Sequence, residues 1–146
     1  MILVSSCLAG NNCTWKGTNN ENLYIKELVD KGLAIPICPE VLGGLSVPRN
    51  PSEIRNSKVI TNKGVDVTDQ FNKGAYKTLE LCKKYNCNKA ILNEKSPSCG
   101  TKYTYDGTFT NTLVNKMGVT AKLLKENGIE VISSEDIDKI KLLLEI

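Results

Sequence analysis

The run Ile2-Leu3-Val4-Ser5-Ser6-Cys7 opens the chain as a short apolar, β-branched stretch. It gives way at once to a cysteine, Gly10 and an Asn-rich polar segment, which reads as a strand entering a loop. The pattern recurs twice. Leu33-Ala34-Ile35-Pro36-Ile37 runs into Cys38-Pro39-Glu40 and the Gly43-Gly44 pair, and Lys89-Ala90-Ile91-Leu92-Asn93 runs into Glu94-Lys95-Ser96-Pro97-Ser98-Cys99-Gly100. Helical spacing separates these strands. Leu23, Ile25, Leu28 and Val29 predict a helix within residues 21–31, closed by Gly32. Thr68 or Asp69 is placed to cap a helix running to about Tyr85, with Phe71, Ala75, Leu79 and Cys82 on one face. Val114 to Asn127 reads as a helix ended by Gly128, Ile129–Ile132 as a strand, and Ser134-Glu135-Asp136 as the start of a last helix. Between Ser46 and Val67 the chain predicts a loop and then a hairpin, with Val59-Ile60 and Val65–Val67 flanking an Asn62-Lys63-Gly64 turn. This alternation predicts an α/β, Rossmann-like fold: an open, mostly parallel sheet with helices on both faces and a small inserted hairpin. Ligands of such sheets bind beyond the carboxyl ends of the strands, the edge where Cys7, Cys38 and Cys99 fall.

Composition narrows the function. The 146 residues, 40% hydrophobic and 24% charged, suit one domain spanning residues 1–146, with no repeat or linker to divide it. A net charge of +3, evenly spread and without an Arg-rich aromatic strip, predicts no nucleic-acid polymer as partner. Apolar runs fall far short of the ~20 residues needed to cross a bilayer, so no membrane partner is expected and the predicted location is cytoplasmic. The chain has no histidine, which excludes Ser-His-Asp triads, Cys-His pairs and imidazole zinc sites. Chemistry therefore turns on six cysteines.

Cys82 falls on an apolar helix face and reads as core; Cys87 sits at a turn, five residues on, a spacing that fits no common metal motif. Cys13 makes C-x5-C with Cys7 and reads either as a member of a shared site or as packing. For Cys7, Cys38 and Cys99 the plain alternative is buried strand-end thiols. A zinc site would need compact pairs such as C-x2-C, whereas three or four thiolates without imidazole suit an iron–sulfur cluster better. No phosphate-binding glycine motif follows the first strand.

Several segments together carry a family resemblance. They are Ser6-Cys7-Leu8-Ala9-Gly10 with Cys13; Cys38-Pro39-Glu40 with Gly43-Gly44-Leu45; Pro48-Arg49-Asn50-Pro51-Ser52-Glu53-Ile54; Lys95-Ser96-Pro97-Ser98-Cys99-Gly100; Tyr105-Asp106-Gly107-Thr108-Phe109; and Gly118-Val119-Thr120-Ala121. In order and register the chain resembles the thiouracil desulfurase family over almost its whole length. It departs after the second cysteine, where family members usually carry Arg-Tyr-Asp-Gly and this chain has Thr14-Trp15-Lys16-Gly17.

The resemblance implies a 4Fe-4S cluster held by Cys7, Cys38 and Cys99, with Cys13 as a further candidate ligand. One iron would lack a protein ligand and act as a Lewis acid toward the thiocarbonyl of a small thio-substrate, in a desulfuration without net electron transfer. In that chemistry Glu40 is the expected base, against a plain reading as a surface carboxylate. Lys95 and Ser98 are expected to hydrogen-bond the heterocycle or the departing sulfur. Asp106 reads first as a turn residue, and Arg49 either as an anion site or as the ion-pair partner of Glu53. Two other readings compete: a metal- or cluster-bearing sensor module without catalysis, and a metal-free thiol enzyme with Cys99 as nucleophile and Lys95 lowering its pKa.

Overall fold

A computed structural model describes residues 1–145. Strand β1 (Ile2–Ser5) leads into a 3-10 turn (Ser6–Ala9), then α1 (Leu23–Asp30), β2 (Ala34–Ile37) and the short α2 (Pro39–Leu42). An antiparallel hairpin follows, β3 (Ser52–Arg55) and β4 (Lys58–Thr61), then α3 (Thr68–Lys84) and β5 (Lys89–Leu92). A two-residue pair, β6 (Thr104–Tyr105) and β7 (Leu113–Val114), precedes α4 (Val119–Glu126), β8 (Glu130–Ser133) and α5 (Ile137–Leu144). Strands β2, β1, β5 and β8 form, in that spatial order, a fully parallel sheet.

Both sheet faces are covered, which explains why the strands read as unbroken apolar runs. Leu3, Ala90 and Leu92 point to one face, where they meet Leu79 and Cys82 of α3 and Ala121 and Leu124 of α4. Val4, Ile91 and Ile132 point to the other, against Ile25 and Leu28 of α1 and Ile140 of α5. The period of two along each strand thus divides the core into two layers. A third cluster, Ile54, Val59, Val67 and Phe71, seats the hairpin on α3.

Helix α2 lies on α3 with no side chain between the backbones at the crossing. A Cβ on Gly43 would stand 1.9 Å from the Gln70 carbonyl oxygen, and one on Gly74 would stand 1.9 Å from the Pro39 carbonyl oxygen. Only glycine permits that approach, and it fixes the helix that follows Cys38.

Three local expectations are corrected. The regular hairpin lies one strand earlier than expected: it pairs β3 with β4 around Asn56-Ser57, both at positive φ. Val65–Val67 adds only an isolated bridge, Ile60 to Asp66, although the Asn62–Gly64 turn is present. Helix α4 starts at Val119 rather than Val114, because its first amides are taken by the loop of Cys99. Pro97 O accepts from Val119 N at 2.9 Å, and Ser98 O from Thr120 N at 2.8 Å and Ala121 N at 3.1 Å. At the head of α3 the N-cap position is Val67, which has no capping side chain; Thr68 N donates to Asp66 Oδ1 at 2.9 Å, and Thr68 Oγ1 accepts from Val59 N, so neither Thr68 nor Asp69 is the cap. Asn22 caps α1 and Asp136 caps α5 through their side chains. No helix among the described residues is long and apolar enough to cross a membrane.

Candidate active site

Beyond the carboxyl ends of β1, β2 and β5 lies a cleft of about 540 Å³. Four cysteines line it: Cys7 from the 3-10 turn, Cys13 from the Asn-rich loop, Cys38 immediately ahead of α2, and Cys99 from the loop after β5. Cys7 and Cys99 are buried, and Cys13 and Cys38 are half-buried. Asn20 Nδ2 lies 3.8 Å from Cys7 Sγ, and Cys38 Sγ lies 3.8 Å from the Cys13 carbonyl oxygen. The cysteine loops are held from within. Ser96 Oγ accepts from Ser98 N and Cys99 N, both at 3.1 Å. The buried Glu94 carboxylate accepts from Thr101 N at 2.8 Å, Thr101 Oγ1 at 2.6 Å and Lys102 N at 3.0 Å, closing the far side of the Cys99 loop.

The donor set has a definite character. Neighbouring strands stand about 4.8 Å apart, so the loops of Cys38 and Cys99 leave the sheet about 10 Å apart with Cys7 between them. A single tetrahedral zinc would draw its sulfurs to about 2.3 Å from one point. Among the described residues no three Cys, Asp or Glu side chains gather that tightly. Thiols that ring a cleft, without imidazole, match instead the donor chemistry of a polynuclear iron–sulfur cluster.

Glu40, in the first turn of α2, also lines the cleft. Burial raises its carboxyl above the ordinary range, and the Arg49 guanidinium opposes that rise from 3.2 Å. Arg49 also donates to the Cys13 carbonyl at 2.9 Å and the Ser46 carbonyl at 3.1 Å, and its own amide donates to Trp15 O at 2.9 Å. One side chain therefore ties the Cys13 loop to the Cys38 turn. The expected Arg49–Glu53 pair is not formed: Glu53 turns inward and accepts from Gly107 N and Phe109 N. Burial pushes the Cys99 thiol up to about 12, and the neighbouring Cys13 thiol together with burial pushes Cys38 up. This is the opposite of what a metal-free Cys99 nucleophile activated by Lys95 requires.

Lys95 lines the cleft with its backbone at φ 69°. Ser98 does not line it. Its hydroxyl, 1% exposed, shares a hydrogen bond with Thr120 Oγ1 at 2.7 Å, so it joins the Cys99 loop to α4. Asp106 accepts from Thr108 N at 2.9 Å, which makes it a turn residue. Cys82 is core and Cys87 is buried beside it. Trp15, in the segment that departs from the family pattern, lines the cleft, as do Asn20, Asn93 and Asn111, which the sequence did not mark, and the sequence did not mark the Glu40–Arg49 pair. Periodicity carries no signal for a residue placed by a loop.

Comparison with known proteins follows the same lines. The chain is 43% identical to the uncharacterized protein YbbK of Bacillus subtilis (strain 168), covering 96% of this chain and 99% of that one. Its structure is similar to that of TudS, described as a [4Fe-4S]-dependent thiouracil desulfidase, with a TM-score of 0.92, 37% identity, and coverage of 99% of this chain and 97% of the other. Residues 2–136 match the 2-thiouracil desulfurase family, and with cysteines from three strand ends lining one cleft, the chain belongs to that family.

Proposed function

We propose that this protein is a [4Fe-4S]-dependent desulfidase converting the C=S group of a thiolated nucleobase or similar small thioamide to C=O. The balanced change is thiocarbonyl plus water to carbonyl plus hydrogen sulfide, with no net electron transfer. The observation that carries the reading is the convergence of Cys7, Cys38 and Cys99 with Glu40 on one cleft in a chain without histidine. Cys7, Cys38 and Cys99 would hold the cluster through their thiolates. When bound, the cluster would supply Lewis-acidic iron suited to soft thiocarbonyl sulfur.

The other residues divide the remaining work. Glu40 accepts a proton from the water that adds to the thiocarbonyl carbon and returns it to the departing sulfur. Arg49 holds that carboxylate in place and orders the Cys13 loop. Asn20 is positioned to donate to the Cys7 sulfur, and the Lys95 ammonium supplies positive charge at the cleft. Ser98 acts by fixing the Cys99 loop on α4. A cleft of about 540 Å³ suits a nucleobase-sized ligand.

The test is anaerobic reconstitution, followed by iron and acid-labile sulfide determination and by hydrosulfide release from 2-thiouracil. Equal iron and sulfide with turnover is expected, and both should fall in Cys7→Ala, Cys38→Ala and Cys99→Ala. Iron bound without turnover, or turnover surviving any of the three substitutions, refutes the reading.

A further inference from the structure

Aromatic side chains are scarce in this chain: one Trp, five Tyr and two Phe. Three of these eight, Trp15, Tyr105 and Phe109, line the cysteine cleft. Phe109 is the unusual one. Its backbone sits at φ 58°, in the left-handed region that a bulky side chain rarely adopts, and its ring is part of none of the three apolar clusters that hold the fold together. Core packing therefore does not account for its conformation.

The strain is held by dedicated contacts. Glu53 Oε1, on a side chain buried in β3, accepts from Gly107 N at 2.9 Å and Phe109 N at 3.1 Å. Two residues along the same strand, the Arg55 guanidinium donates to the Gly107 carbonyl, from Nε at 2.9 Å and also from Nη2. Gly107 itself, at φ 95°, lies so close to β3 that a Cβ would meet the Ile54 carbonyl oxygen at 2.8 Å. Beyond it, a ladder of hydroxyls, Thr108 to Thr110 to Thr112, stiffens the turn on its outer side. Backbone strain kept by surrounding contacts and directed at a cleft is the arrangement found in ligand clamps.

We propose that residues 106–112 form a preorganised clamp in which the Phe109 ring stacks on the planar heterocycle of the substrate. Glu53, which also lines the cleft, is the positioning residue that holds Phe109 there through two backbone amides. The inference rests on the desulfidase reading for the identity of the ligand and deepens it, because it assigns recognition of the ring to Phe109 and leaves the reacting C=S group to the cysteine edge. A π-face is common to all nucleobases, so the clamp selects planar rings as a class.

The experiment compares Phe109→Ala, Phe109→Tyr, Glu53→Ala and Glu53→Gln with the wild type. Reconstituted protein is assayed for KM and kcat with 2-thiouracil. Binding of uracil, the same planar ring without the reacting C=S group, is measured independently by anaerobic equilibrium dialysis, and thermal melts confirm folding. Loss of one stacking contact predicts that Phe109→Ala raises KM and Kd about tenfold while kcat stays within about twofold. Phe109→Tyr should restore most of the affinity. Glu53→Ala should give the same KM-weighted loss, and Glu53→Gln, which keeps a carbonyl oxygen to accept both amides, should recover most of it. Phe109→Ala with unchanged KM and Kd overturns the clamp, as does a loss confined to kcat. Wild type that binds uracil but releases no hydrosulfide from 2-thiouracil overturns the desulfidase reading while Kd still decides the clamp; wild type that neither binds uracil nor turns over 2-thiouracil overturns both.

Discussion

Substituting Gly74, a residue of α3 that does not line the cleft, should damage the site. Its Cβ would stand 1.9 Å from the Pro39 carbonyl oxygen and 3.2 Å from Gly43 N, so α2 and α3 must part by about 1 Å. Two effects oppose each other. Alanine in a helix interior is favoured over glycine by ~1 kcal/mol, whereas overpacking a close contact costs ~1–3 kcal/mol, at the upper end here because the obstacle is backbone and has no rotamer to change. The net expectation for Gly74→Ala is a loss of about 2 kcal/mol, which for a chain of this size lowers Tm by roughly 4–8 °C. Helix α2 begins directly after Cys38 and carries Glu40 in its first turn, so the shift also reaches the cleft. A displacement of that size predicts a fall of about 10- to 100-fold in hydrosulfide release from 2-thiouracil. Thermal denaturation by circular dichroism, with the exposed Lys77→Ala as a control on the same helix, reads the stability. If Gly74→Ala melts at or above the wild-type temperature, the close-approach argument is wrong.

Other perturbations test other contacts. Burial works against ionisation of Glu94, but the amides of Lys102 and Tyr103 and the Thr101 hydroxyl outweigh it and hold the carboxyl below its ordinary range. Its stabilisation is then complete above the unfolded value of about 4.3 and is lost as pH falls through the lower folded value. Glu94→Gln should cost ~1–2 kcal/mol at pH 7 in urea denaturation, with the gap closing below about pH 4; a gap constant into acid contradicts this. Arg49→Met leaves the nearly buried Glu40 carboxylate and the Cys13 carbonyl unpaired, and should destabilise by ~2–4 kcal/mol. Arg49→Lys should recover only part of that, since one ammonium cannot reproduce the fork; a Met variant within about 0.5 kcal/mol of wild type in the same assay argues that the pair is idle. Cys82 is 1% exposed among apolar side chains, so Cys82→Ser should destabilise by ~1–3 kcal/mol and Cys82→Ala by less. Iron per folded chain should be unchanged in both, and its loss in Cys82→Ala would place Cys82 in the metal site.

The sheet was legible because its central strands β1 and β5 are buried on both faces, and β1, β2 and β5 run into glycine- or proline-bearing loops, as Val4-Ser5-Ser6-Cys7 runs on to Gly10. That pattern also placed Cys7, Cys38 and Cys99 at one edge. Boundaries set by tertiary contact were not legible. Val114 continues an apolar spacing that suggests helix, yet α4 waits until Val119, where carbonyls of Pro97 and Ser98 receive its first amides. Arg49 and Glu53 looked like partners through closeness in sequence. Glu53 instead lies on a strand facing inward to the 106–112 turn, and the guanidinium turns back to Glu40, nine residues earlier. Ser98 resembled a site hydroxyl by its neighbours, but the side chain before Cys99 faces α4. The failures at Arg49 and Ser98 concern where a loop residue points, and loops lack the periodicity that makes a strand or helix face predictable.

The four thiols of the cleft are held with unequal firmness, and this bears on which of them serve as ligands. Cys99 is buried in a loop closed by Glu94, Ser96 and the start of α4. Cys38 stands ahead of a helix locked backbone to backbone against α3. Cys7 is buried in a 3-10 turn continuing directly from the central strand β1, with its carbonyl taken by Asn20 N at 2.9 Å. Cys13 is half-buried in a polar loop, where it packs against the apolar cluster that includes Cys7 and Leu8 and its carbonyl meets Arg49 and the Cys38 thiol. A polynuclear centre needs ligands whose positions are fixed before it binds. Cys7, Cys38 and Cys99 stand in turns held by the sheet and the helices, whereas Cys13 stands farther out, in the polar loop between the 3-10 turn and α1. On this ground we propose Cys7, Cys38 and Cys99 as the three ligands, with Cys13 beside them.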